Sequence, residues 1–228
     1  MTRRAWWMIA VLALGAAACG SDESVATTTM AAPTTTAPSE LKAKLLTVDD
    51  LVGVEGDWSV MADMTPDDLG SLAESPCPDA AIDPQIVERM IPTDAVIFEP
   101  TDEATRGVQE LILAGDPEQL ASDLEVVFGS VESCVGQQYE VPGSGEKVQY
   151  DLVDVPEFGD QRSAARLVAF EPPDFTTTWR GHTAIVRVGG VVIMINEFQI
   201  LDSPDAEPFM DDAEFVALLE SAVARLGG

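Results

Sequence analysis

The side chains able to do chemistry in this 228-residue chain are few in kind: three cysteines, one histidine, and forty carboxylates against twelve Lys and Arg. The histidine, His182, stands in "TTWRGHT". To act as a base it would need a nucleophile beside it, and the Gly-x-Ser-x-Gly turn that exposes a serine is absent; "PGSGE" at 142–146 only superficially approaches it. Next to a glycine, in what reads as a loop, a lone histidine is expected at the surface. Metal-binding spacings of His and Cys are missing, as is a glycine-rich phosphate loop. The acids concentrate in "LDSPDAEPFMDDAE", which holds Asp202, Asp205, Glu207, Asp211, Asp212 and Glu214. Their order does not fit an alternating calcium loop, whereas several suit the positive start of the helix that follows. No pair is singled out as a glycosidase's carboxylates. No catalytic residue, metal site or cofactor is therefore assigned. Trp58, Phe175, Trp179 and Arg180 are the side chains best suited to line a groove, since aromatic and guanidinium groups recognise sugars, lipids and peptides alike. Each tryptophan suits a core equally, and none of the four is taken as a site residue.

The elements that must position these groups are legible from Leu41 onward. "LTVDDLVG" reads as a short helix with Thr47 as cap and Gly53 as stop, and "IDPQIVERM" as another, capped by Asp83 and opened by Pro84. "AVIFE" and "VQELILAG" read as strands, though the second also passes for a helix fragment. The clearest helix follows: Asp116 caps it, Pro117 opens it, and Leu120, Leu124, Val127, Val131 and Cys134 recur at spacings of three and four on one apolar stripe. The second half is strand-rich, with "KVQYDLVDV", "SAARLVAFE" and then "TAIVRVGGVVIMINEF", two strands joined by Gly189 and Gly190. Four consecutive apolar residues, Val191 to Met194, predict a strand covered on both faces. In "DDAEFVALLESAVARL", Asp211 and Glu214 form a capping box, and Phe215, Leu218, Leu219, Ala222 and Leu226 form the buried stripe. Helices early, a meander late and a terminal helix predict a single α+β domain with a central, mainly antiparallel sheet flanked by helices. No internal repeat is present.

Composition limits the partners. The chain is 46% hydrophobic with a net charge of −28, enough apolar content for one core and a field that repels phosphate backbones and anionic head groups. Nucleic acid is excluded as a partner on this ground; the oligomeric state is left open.

The N-terminus places the domain. Arg3 and Arg4 precede fourteen uncharged, mostly apolar residues, Ala5 to Ala18, a run that suits a signal peptide and is shorter than the roughly 20 residues of a membrane-spanning helix. Ala16-Ala17-Ala18 also satisfies the rule for ordinary secretion. The stretch "LGAAACGSDE" resembles a bacterial lipobox, with Ala16 where Leu is favoured, and that resemblance implies a leader of residues 1–18 and diacylglycerol on the thiol of Cys19. An odd thiol in an exported protein needs a role; lipidation of Cys19 supplies one and leaves Cys77 and Cys134. Cys134 ends an amphipathic helix and Cys77 lies in the Pro-bracketed "SPCPDA". An oxidising compartment makes their pairing natural, and closing a loop of about 58 residues contributes about 4 kcal/mol in the chain-entropy model; two reduced, buried thiols are the alternative. Residues 19–40, rich in Thr, Pro and Ala, cannot offset the entropy of ordering and are expected to be a disordered tether of about 25 Å mean span. The folded domain is expected over 41–228.

Within that domain "LLTVDDL" with Trp58 after it, Pro76-Cys77, the helix ending in Cys134, "FGDQ" at 158–161, "VRVGG" at 186–190 and "ALLESAVARL" resemble the PknH-type extracellular sensor domain. That family occurs on actinobacterial receptor serine/threonine kinases and on free-standing lipoproteins. The resemblance implies an α+β fold with a central antiparallel sheet, a groove for an unidentified cell-envelope ligand, and no catalysis. Family members often carry two disulfides, where this chain has cysteines for one. The resulting expectation is an envelope-anchored, extracytoplasmic binding or sensory lipoprotein whose partners are the membrane, through its lipid, and an unknown ligand. An envelope hydrolase and a carrier of a hydrophobic envelope molecule are the alternatives.

Overall fold

The computed structural model describes residues 38–51, 54, 56–61, 71–73, 81–101, 105–140, 146–171, 176–201 and 208–227. The leader, Cys19, nearly all of the tether, Gly53, Cys77, Phe175, Asp202, Asp205 and Glu207 lie outside them.

Eight strands form one sheet in the order β1-β2-β3-β8-β7-β6-β5-β4, every neighbouring pair antiparallel. The strands are β1 (Trp58–Val60), β2 (Asp94–Pro100), β3 (Arg106–Ala114), β4 (Gln138–Glu140), β5 (Lys147–Leu152), β6 (Gln161–Glu171), β7 (Thr176–Val188) and β8 (Val191–Ile200). The sheet joins two meanders: β1–β3 and β4–β8 meet along the β3–β8 seam, in register from Arg106 opposite Gln199 to Ala114 opposite Val191. Between the meanders, helix α3 (Pro117–Cys134) carries the chain from the middle of the sheet to its far edge.

Helices cover both faces. On one lie α1 (Pro38–Lys42), the segment after it and the long α4 (Asp212–Gly227), burying Phe98, Val108, Ile112, Ile193, Ile195, Phe215 and Leu219. On the other, α2 (Pro84–Arg89) and α3 bury Ile86, Met90, Leu111, Leu113, Leu120, Leu124 and Val192. The side-chain alternation of a strand divides these sets: Val108 and Ile112 of β3 face α4, while Leu111 and Leu113 face α3. Val191–Met194 is therefore apolar on both sides, as predicted for a doubly covered strand.

Most local expectations are met. Asp83 accepts the amide of Gln85, and Asp116 those of Glu118 and Gln119, with Pro next in both cases. "VQELILAG" is strand β3, not helix. The stretch around Thr47 is a single 3-10 turn, Val48–Leu51, in which Asp50 accepts both the amide and the hydroxyl of Thr47. Gly189 at φ +58° makes the β7–β8 hairpin turn that the Gly-Gly pair announces. In α3, Val131 is only half-buried, and Asp123 and Ser130 are buried beside the apolar stripe.

Candidate functional site

The surface of the sheet under the start of α4 carries a row of ionisable side chains, one from each of four adjacent strands. Strand pairing sets Asp151 of β5 opposite Arg166 of β6, Arg166 opposite His182 of β7, and His182 opposite Glu197 of β8. Directly opposed residues of antiparallel strands point to the same face, so backbone register alone assembles the row. It continues into Val108 of β3, where the surface becomes apolar core.

His182 is the centre of this arrangement. It is 5% exposed, with Nδ1 2.7 Å from Glu197 Oε2 and Nε2 2.9 Å from Asp212 Oδ1, and its ring stacks on Phe215 at 4.8 Å between centroids. The expectation of a surface histidine in a loop is thus corrected. Gly181, which suggested the loop, lies inside β7, where a Cβ would collide with the carbonyl oxygen of Glu197. The glycine marks close backbone approach within a sheet rather than a turn. A signal for this was present: His182, Ala184 and Val186 alternate on the inward face of one strand.

The electrostatics follow from burial. Desolvation raises the carboxyl pKa of Glu197, and the contact with His182 only partly opposes that rise. For His182 desolvation works against the charged ring, but hydrogen bonds to Glu197 and Asp212 outweigh it and raise the pKa above the ordinary histidine value. Asp212 is half-exposed and also lies 3.4 Å from Nη1 of Arg166, whose Nη2 approaches Asp151 at 4.0 Å.

Asp212 is at once part of the row and of an open groove of about 660 Å³ between the first turns of α4 and the β5–β6 connection. Asp154, Val155, Pro156, Glu157 and Arg162 line one side, and Asp212, Ala213 and Val216 the other. The α4 start is closed to anions: Asp211 Oδ1 accepts the amides of Ala213 and Glu214, and Glu214 accepts that of Asp211, completing the predicted capping box.

The four groove candidates of the sequence do not come together. Trp58 is a core residue, tilted against Phe209 at 5.8 Å, its indole N–H donating to the Val54 carbonyl. Arg180 is half-buried on the α4 side and donates to Gln199. Trp179, the residue before it in β7, points to the opposite face of the sheet. Of the acidic run, Asp211, Asp212 and Glu214 serve the start of α4, and no cluster of three or more metal-ligating side chains occurs among the described residues. Cys134 is fully buried at the end of α3.

Sequence reasoning missed a second buried carboxylate, Glu110 of β3. It is fully buried, accepts the Leu46 amide at 2.5 Å, and has its pKa pushed up to about 7 by desolvation. A third, Asp123, makes a two-pronged contact with Arg89 at 2.9 and 2.7 Å, and that hydrogen bonding lowers its pKa.

Fold and site together define a single α+β domain: a helix-flanked, eight-stranded antiparallel sheet with a groove at the start of its last helix. Among solved structures, the extracellular domain of PknH from Mycobacterium tuberculosis matches with a TM-score of 0.56 at 14% identity, over 84% of this chain and 97% of that one. The resemblance read from short motifs is thus matched in three dimensions. An uncharacterised protein from Mycobacterium smegmatis aligns over 82% of this chain and 96% of its own, at 15% identity and a TM-score of 0.41. No protein-family profile and no curated protein matches the chain.

Proposed function

We propose that this protein is a non-enzymatic, ligand-binding or sensory domain held on the outer face of the cytoplasmic membrane by lipid on Cys19. The observation that carries the reading is the groove at Asp212, set in a fold shared with the extracellular domain of PknH. The state of His182 favours binding over catalysis. With Asp212 in place, both ring nitrogens face carboxylates of the protein itself, so neither is left to take a proton from a substrate. The mixed lining, four ionisable side chains among apolar ones, suits a small polar ligand better than a wholly hydrophobic cargo.

The anchor and the disulfide rest on the sequence. Among the described residues no helix is long and apolar enough to cross a membrane. The full burial of Cys134 agrees with its pairing to Cys77. Mass spectrometry of the protein exported by its native host tests both: a diacylglycerol-modified Cys19 and a peptide linking Cys77 to Cys134 are expected, and an unmodified Cys19 on a soluble product would reject the anchor. For the groove, native mass spectrometry of the same material should show a small molecule that is lost on Arg162→Ala or Asp154→Ala. Retention of that molecule by both variants would place it elsewhere.

A further inference from the structure

Nothing in ligand binding requires a buried histidine between two carboxylates, and proton counting gives the cluster a consequence of its own. The Glu197 carboxylate comes from β8 and the Asp212 carboxylate from α4, on opposite sides of the ring. Satisfying both takes two protons, whether the one in the 2.7 Å contact sits on Nδ1 or on Glu197. With only one proton left, one contact sets a nitrogen lone pair against a carboxylate oxygen, which is repulsive.

We propose that His182 is a proton-operated latch on α4: with both protons present Asp212 is clamped to the sheet, and loss of one frees the first turn of the helix and reshapes the groove wall. Exposure decides which contact breaks. The Glu197 side chain is 3% exposed and keeps the remaining proton between itself and the ring, whereas Asp212, at 50%, is rehydrated on release. The surrounding groups do not replace the lost contact. Arg166 of β6 reaches Asp212 only at 3.4 Å in an exposed geometry shared with Asp151 of β5, a pairing of little strength. Arg180, on β7 itself, acts on Glu197. Glu214 of α4 is engaged by the Asp211 amide. Phe215, stacked on the ring, is apolar and holds the next part of the helix, which confines the release to the first turn. The raised pKa values of His182 and Glu197 put the opening on the alkaline side of the ordinary histidine value.

The latch does not depend on what the groove binds, and the ligand-free protein tests it. His182 is the chain's single histidine, so its Cε1–H signal reports the titration without assignment. Hydrogen exchange of peptides covering the start of α4 is followed from pH 5.5 to 9 and corrected for intrinsic exchange. Protection of the first-turn amides is expected to fall by about tenfold or more, with the midpoint of the His182 signal. In Asp212→Ala, a change at a half-exposed side chain, protection should be low and flat across the range. Constant protection while His182 titrates, a pH step that survives in Asp212→Ala, or a ring that does not titrate by pH 9 would each overturn the proposal.

Discussion

At the scale of single residues, the molecule is defined by carboxylates that water cannot reach. Glu197 tolerates burial because His182 lies against it; His182→Ala removes the imidazole and leaves only the backbone amide at 182 and the charge of Arg180 to offset its desolvation. The expected cost is about 3 kcal/mol at neutral pH, read from urea unfolding. Glu197→Gln, which keeps the shape and drops the charge, should cost clearly less. Glu110 has one oxygen on the Leu46 amide and the other with no hydrogen-bond partner. A carboxyl whose pKa moves from 4.5 to about 7 on folding penalises the ionised native state by about 3 kcal/mol once the pH is above both values. Glu110→Gln should therefore raise the urea midpoint at pH 8 and change it little at pH 5. An unchanged midpoint at pH 8 would mean that water reaches the group.

At the scale of elements, the helices are fixed by their ends. Asp116 and Asp211 each accept two first-turn amides, and replacing either with Ala should cost about 1 kcal/mol of stability, as measured by chemical denaturation. The far end of α4 is held by the N-terminal segment: Lys44 Nζ donates to the Leu226 carbonyl at 2.8 Å, and Arg225 contacts Asp50 at 3.0 Å. A cation at a helix C-terminus meets the negative end of the dipole, so Lys44→Met should lower stability by about 0.5–1 kcal/mol, less at high salt. The strands are bound by closer sterics. A Cβ at Gly181 has no room against the Glu197 backbone, and Gly181→Ala should destabilise the β7–β8 pairing by about 3 kcal/mol or more. The far-UV spectrum and unfolding midpoint of this variant report it.

At the scale of the whole molecule, three of the buried groups act in one direction as pH changes. Glu110, Glu197 and His182 all have raised pKa values, so the native state holds protons more tightly than the unfolded chain. For His182 the stabilisation is complete below the unfolded value near 6.5 and is lost as pH rises through the higher folded value. For Glu110 the loss runs from about pH 4.5 to about 7, and Glu197 loses in the same sense. Asp123 opposes them only in acid, where its lowered pKa stabilises the fold until it is protonated. The urea midpoint should therefore be higher at pH 5.5 than at pH 8. Self-repulsion from a net charge of −28 adds to the loss and is screened by salt, so the difference should narrow as ionic strength rises. A midpoint that increases with pH over this range would contradict the burial of all three groups.

Local patterns carried the sequence a long way. Caps, apolar stripes and the Gly-Gly turn depend on residues a few positions apart, and the helices at Asp83, Asp116 and Asp211 and the hairpin at Gly189 stand where those patterns put them. The site did not yield to the same reading. Asp151, Arg166, His182 and Glu197 are far apart in the chain and become neighbours only because four strands pair in one register. Glycine before histidine suggested a turn, because nothing local reveals that Gly181 is needed for a strand to pass close to a neighbouring backbone. Glu110 and Asp123 read as polar positions among apolar ones, since the Leu46 amide and the Arg89 guanidinium that make their burial tolerable come from other elements. By itself, then, the sequence determined the class of fold, the ends of its helices and its acidic surface, all properties of short-range spacing and composition. Only the tertiary structure decided which charges are buried and what they touch, because the energy of a buried charge depends on partners that long-range packing brings to it.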